Sequence, residues 1–288
     1  MSSHPSWIKV RVPTPAQSQG MAEMRDILAR HQLDTVCQGA KCPNAVECWS
    51  TRTATFMVLG GVCTRSCRFC DVPTGNPRGA VDSGEPDRLA AAVRELGLKY
   101  AVITSVDRDD LPDGGADAFA QAIERMGSSC DSVVIEALIP DFGGNHSSID
   151  RILTTPADVI GHNLETVRSL ASTLRDRRAG YEQSLEVLRY VAAHAGERQI
   201  KSGLMVGFGE SSDEIREAMT DLRDVGVGVL TIGQYLQPSK NAVPVSRFVP
   251  PSEFDQLAAH ARDMGFRSVV AGPLVRSSYH AATAYSET

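Results

Sequence analysis

No run in this sequence is apolar over the roughly 18 residues that a membrane-spanning helix requires. The opening stretch, Met1-Ser-Ser-His-Pro-Ser-Trp7, has neither the apolar core of a signal peptide nor the arginines of a transit helix. A cytoplasmic protein with no membrane partner is the expectation. A basic excess is missing too: Lys and Arg number 29 against 35 Asp and Glu, a net charge of −6, so nucleic acid is not an expected partner. There is no fixed-period repeat, no low-complexity tract and no heptad pattern, which sets aside solenoids and coiled coils.

What is present is a chain of 288 residues, a normal size for one α/β barrel and long enough to bury a core without staples. It carries seven cysteines. In a reducing compartment these read as metal-binding or catalytic rather than as disulfides. Six of them fall between residues 37 and 70, and Cys130 stands apart, where it reads as a small packed hydrophobe.

Residues 1–53 are irregular, with one helix expected over 20–31. From Thr55 onward short apolar runs alternate with helical stretches. The runs are 54–60, 100–106, 132–140, 158–164, 199–207 and 227–235; the helices between and after them are 86–96, 116–126, 147–153, 181–195, 212–225 and 251–264. Ser211-Ser-Asp-Glu214 opens one helix with a capping box. Six strand–helix units in series predict an α/β fold, a partial (β/α)6 barrel of the TIM type over 54–272. A last apolar run, 268–271, reads as an added edge strand. Residues 1–53 form an N-terminal extension and 273–288 a C-terminal tail. Ligands of such folds sit at the carboxyl ends of the strands.

Directly after the first strand comes Cys63-Thr-Arg-Ser-Cys67-Arg-Phe-Cys70, a C-x3-C-x2-C run. Three thiolates within eight residues can wrap one corner of a cubane. A four-iron cluster takes four ligands, so one iron stays open to a chelating small molecule. Earlier lies Cys37-Gln-Gly-Ala-Lys-Cys42-Pro-Asn-Ala-Val-Glu-Cys48, a C-x4-C-x5-C run that is again one ligand short. A zinc site is the competing reading of each trio, and buried free thiols a further one of the second.

The first run has the spacing of the radical S-adenosylmethionine (SAM) superfamily, which this sequence resembles. Gly203-Leu-Met-Val-Gly207-Phe-Gly-Glu210 is similar to the superfamily's adenine-side glycine pattern. The two cysteine runs together resemble the lipoyl synthase family, and the likeness covers nearly the whole chain. Trp7-Ile-Lys-Val-Arg11, Glu47-Cys-Trp-Ser50, Thr104-Ser-Val-Asp-Arg-Asp-Asp110, His162-Asn-Leu-Glu-Thr166, Lys201-Ser-Gly203, Gly233-Gln-Tyr235 and Arg276-Ser-Ser-Tyr279 carry it further. Departures occur at Gly161, where the family usually has asparagine, at 177–181, and after Phe248.

The resemblance implies two [4Fe–4S] clusters. One is held by Cys63, Cys67 and Cys70 and binds SAM at the open iron. The other, an auxiliary cluster, is held by Cys37, Cys42 and Cys48 with Ser278 as fourth ligand. It implies sulfur insertion at C6 and C8 of an octanoyl chain on a carrier lysine, with the auxiliary cluster consumed as sulfur donor. Biotin synthase-like insertion is the nearest alternative chemistry, and a zinc-binding interaction module on a barrel the alternative of another class. Implied partners are an octanoylated lipoyl carrier domain or H-protein, an electron donor such as ferredoxin or flavodoxin, and a cluster-repair protein. Phe69, Thr104, Ser105, Asp107, Glu136, Asn163, Gly203, Gly207 and Gln234, near the strand ends, are the candidate SAM contacts. His162 and His280 read as structural.

Overall fold

A computed structural model describes residues 5–9, 13–39, 42–130 and 132–286. Val10 and Arg11 of the first family-like stretch, and Ala40 and Lys41 between the first two cysteines, lie outside them. Helix α1 is Pro15–Arg30, capped by Thr14 in a capping box with Gln17. Strand β1 (Asp34–Thr35), α2 (Val36–Gly39) and α3 (Ala45–Ser50) complete the N-terminal segment. The barrel strands are β2 (Thr53–Val58), β3 (Tyr100–Ser105), β4 (Val134–Leu138), β5 (Val159–Gly161), β6 (Gln199–Val206), β7 (Val229–Gln234) and β8 (Ser268–Gly272). Between them run α4 (Glu85–Leu96), α5 (Ala116–Ser129), α6 (His146–Leu153), α7 (Arg168–Leu174), α8 (Tyr181–His194), α9 (Ser212–Asp224) and α10 (Pro251–Asp263), and α11 (Ala281–Ser286) closes the chain.

The sheet runs β1 to β8 in sequence order. β2 to β8 are parallel, and β1 joins antiparallel at the β2 edge. The sheet is therefore an open barrel of six strand–helix units, β2 to β7, with two extra strands, β1 and β8. The expected edge strand is β8; α3, α7 and α11 had no periodic signal because each is seven residues or shorter.

Alternation along each strand separates two environments. Ala101, Ile103, Ile135, Ala137, Leu230 and Ile232 face the helices and share one core with Leu89, Ile123 and Leu222. Tyr100 and Val102 face inward, where Ala281 and Tyr285 of α11 cover them. The tail thus packs inside the open barrel. The N-terminal segment belongs to the main core as well, through Met24, Leu28 and Trp49, so residue 53 divides motifs rather than independently packed units.

Candidate functional site

The N-terminal trio and the tail meet. Cys37, Cys42 and Cys48 line one small pocket together with Asn44, Thr53, Thr55, Arg276 and Ser278. The chain closes the first loop with the Cys42 N–H donating to the Cys37 carbonyl at 3.0 Å. The tail is tied in from both sides: Asn44 Nδ2 donates to the Leu274 carbonyl at 2.5 Å, and Tyr279 Oη donates to Glu47 at 3.1 Å. Gly233 lets the tail approach β7, because a Cβ there would lie 2.1 Å from the Val275 carbonyl oxygen. Thr55 Oγ1 donates to Ser278 Oγ at 2.8 Å.

Burial pushes the Cys48 thiol up to about 12, with Cys37, Cys42 and Glu47 adding like charge. Burial raises Cys37 too. Such crowded thiols favour deprotonation only when a cation sits among them. The Trp49 indole N–H is buried and faces Cys37, where it favours the thiolate. A buried N–H turned toward a thiol, three soft sulfurs and one hydroxyl fit an iron–sulfur cubane, whose thiolates accept hydrogen bonds. Among the described residues no three His, Cys, Asp or Glu side chains are placed to share a single ion.

The second trio follows β2 after Leu59 and Gly60, both in left-handed backbone. Its loop is pinned to the strand ends: the Cys63 N–H donates to the Pro73 carbonyl at 2.9 Å and the Thr64 N–H to the Asp107 carbonyl at 3.0 Å. Backbone N–H groups already point at sulfur, Arg65 at Cys63 (3.4 Å) and Asp176 at Cys67 (3.3 Å). Burial pushes the Cys67 thiol up to about 11, which the Asp176 N–H and the Arg175 charge oppose.

Arg65, between the cysteines, is the anchor that reading the sequence missed. It is buried and pairs with Asp109 at 2.8 Å, Asp141 at 2.7 Å and Asp107 at 3.3 Å. Asp107 sits 3.9 Å from the Cys63 sulfur, and burial raises its carboxyl to about 6. The start of the departing segment 177–181 and Asp176 just before it buttress the same loop, since Asp176 accepts from the Ser66 N–H at 3.0 Å and Arg178 donates to the Thr64 carbonyl at 2.7 Å.

Phe69 lies 6.2 Å from Phe208, which stacks on Tyr235 at 4.3 Å, so aromatic faces gather beside the cysteine loop. Thr104 and Ser105 end β3; the Ser105 hydroxyl is buried without a partner. Asn163 follows β5 and hydrogen-bonds Glu165. Gly203 makes room for it, a Cβ there meeting Asn163 Oδ1 at 2.9 Å. Glu165 was also missed. Its φ is +71°, held by bonds to the Gly203 carbonyl and the Met205 N–H, and its charge is felt at Cys67 and Cys70. Strain of this kind in a non-glycine residue collects at functional positions.

Two expected contacts, Glu136 and Gln234, have their polar groups taken up by the protein. Glu136 is mid-strand, not at a strand end, and fully buried; Lys201 Nζ donates to both its oxygens at 2.8 and 2.7 Å and Tyr100 Oη to one at 2.7 Å. It is an internal ion pair. Gln234 is likewise spent on the protein, donating to the Val206, Tyr235 and Arg247 carbonyls and accepting from the Val249 N–H at 2.7 Å. Gly207 makes room for that clamp, since a Cβ would lie 2.1 Å from Gln234 Nε2. His162 is structural: its ring bonds the Ile139 carbonyl and Ser184 Oγ, each at 2.9 Å.

Lipoyl synthase from Pyrobaculum arsenaticum is 51% identical over 287 residues, covering 99% of this chain and 96% of its own. That from Thermus thermophilus is 49% identical, covering 98% of this chain and 87% of its own. The chain belongs to the lipoyl synthase family. The radical SAM superfamily model matches residues 57–222, so this lipoyl synthase-family chain is a radical SAM enzyme of the sulfur-inserting type. Its fold is shared more widely: the [FeFe]-hydrogenase maturase HydG of Carboxydothermus hydrogenoformans superposes with a TM-score of 0.61 at 14% identity, over 94% of this chain and 70% of that one. Streptococcus suis SuiB bound to its precursor peptide gives 0.60 at 12% identity, over 100% of this chain and 59% of that one. No helix among the described residues is long and apolar enough to cross a membrane.

Proposed function

We propose that this family member converts a protein-bound octanoyl chain to the lipoyl cofactor, with Cys63, Cys67 and Cys70 holding the SAM-binding cluster and Cys37, Cys42, Cys48 and Ser278 the auxiliary one. When bound, the first cluster supplies the electron that splits SAM to a carbon radical, and the second supplies two sulfurs. The protein's own residues do the rest. Phe69 and Phe208 offer faces for the adenine. Asn163 and the strained Glu165 accept from ribose hydroxyls, and Asp107 with Thr104 and Ser105 receives the amine and carboxylate end. The Arg65–aspartate centre fixes the cysteine loop against these groups, and α11 inside the barrel keeps water from its interior. The substrate is an octanoylated lipoyl carrier domain or H-protein, the reductant ferredoxin or flavodoxin, and a repair protein restores the auxiliary cluster in the cytoplasm.

One observation carries the reading: a tail serine lines the same cavity as three cysteines from the N-terminal segment. Iron and sulfide analysis after anaerobic reconstitution tests it. We expect about eight irons per chain and about four in Cys37→Ala. Zinc in place of iron, or an iron count that Cys37→Ala leaves unchanged, overturns it.

A further inference from the structure

We propose that Thr55 is the positioning residue of the auxiliary site, a barrel-strand hydroxyl that fixes Ser278 against the cysteine trio; this rests on the two-cluster reading above. Thr55 sits on the inward face of β2 and is 5% exposed, so water does not compete for its hydroxyl. The 2.8 Å bond runs from Thr55 Oγ1 to Ser278 Oγ. Its direction follows from chemistry. A serine bound to iron has given up its proton and can only accept, so the donor must be threonine. Thr55 also faces the other side of the site, where its backbone hydrogen-bonds Cys37 and leaves the single hydroxyl proton to Ser278.

The tail's other ties act elsewhere. Asn44 holds Leu274, Arg276 Nη1 holds the Val275 carbonyl at 2.7 Å, and Tyr279 holds Glu47. These place the backbone of the tail and leave the Ser278 side chain three staggered rotamers. The bond from Thr55 selects one of them. A charge-bearing acceptor strengthens that bond, and the donated proton moderates the basicity of the oxygen on iron.

The test uses the full-length chain with Cys63, Cys67 and Cys70 replaced by alanine, so that iron reports the auxiliary site alone. The readouts are bound iron, the rate at which a chelator removes the first iron, and the paramagnetic signature of a three-iron product. Thr55→Val, which keeps the shape and removes the donor, should start at about four irons and lose one roughly 3- to 10-fold faster than its parent, as expected for one hydrogen bond. Thr55→Ser should stay within about twofold of the parent. In a Ser278→Cys background, where a thiolate ligand has less need of a donor, Thr55→Val should no longer accelerate the loss. Thr55→Ala serves in the same way should the valine variant not fold. Loss at the parent's rate in Thr55→Val, equal acceleration in Thr55→Ser, or acceleration that persists with Ser278→Cys, each overturns the inference. A parent that binds no iron at this site overturns the two-cluster reading with it.

Discussion

Arg65 is a cation taken out of water and surrounded by three carboxylates, two of them on the loop that follows β3. Removing it leaves those carboxylates facing one another, a loss of about 3–5 kcal/mol for a buried pair broken on one side. Arg65→Met should lower the unfolding midpoint and cut iron at the SAM-side cluster while leaving the auxiliary cluster's iron near four. Equal loss from both clusters, seen in single-site iron counts, would mean that Arg65 supports the fold at large. His162 offers a pH test. Burial holds its pKa at about 4 against an ordinary 6.5, so the folded chain keeps the ring neutral while the unfolded chain takes a proton. The stability is fully present above pH 6.5 and falls by about 1.4 kcal/mol for each pH unit from there to about 4. Denaturant titrations of the parent and of His162→Gln should differ in slope by one proton across that window; parallel curves would show that the ring titrates freely.

At the scale of elements, the glycine-rich end of β6 packs closely against the neighbouring protein. Gly207 has φ +111°, and an added Cβ would collide with the Gln234 amide and the Arg247 carbonyl at 2.1 and 2.6 Å. Gly207→Ala should therefore destabilise by several kcal/mol through strain and loss of the Gln234 clamp. Thermal unfolding checks this, and a shift of only a degree or two would mean the clamp has slack. The same logic explains why Glu136 was misplaced. An apolar run from 132 to 140 gives no internal mark of where pairing stops, and β4 ends at Leu138 with Glu136 at its centre. A buried acid and a buried lysine sixty-five residues apart announce nothing in sequence; only the register that sets β5 between β4 and β6 brings Lys201 to Glu136. Glu136→Gln should cost about 3–5 kcal/mol, because it strands the lysine.

For the whole molecule, the tail is the piece that joins the two ends of the chain. Ala281 and Tyr285 cover the inward face of β3, and Ser278 reaches the cysteines of the N-terminal segment. Deleting residues 273–288 should leave about four irons on the SAM-side cluster and strip the auxiliary site, while uncovering Tyr100 and Val102 to an apolar dye. Retention of about eight irons would count against Ser278 as a ligand.

Sequence alone determined the barrel and the identity of the cysteine trios. Both are local: strand and helix periods repeat within a dozen residues, and each trio falls within a dozen residues of chain. Even the α9 capping box was legible, because its two partners stand three residues apart. Contacts between distant segments were not. That Thr55 touches Ser278, that Arg65 gathers Asp107, Asp109 and Asp141, and that Gln234 is filled by its own neighbours depend on which strand lies beside which and on how far the chain turns between them. Those pairings are chosen by burial of the whole core at once, so only the folded molecule decides them.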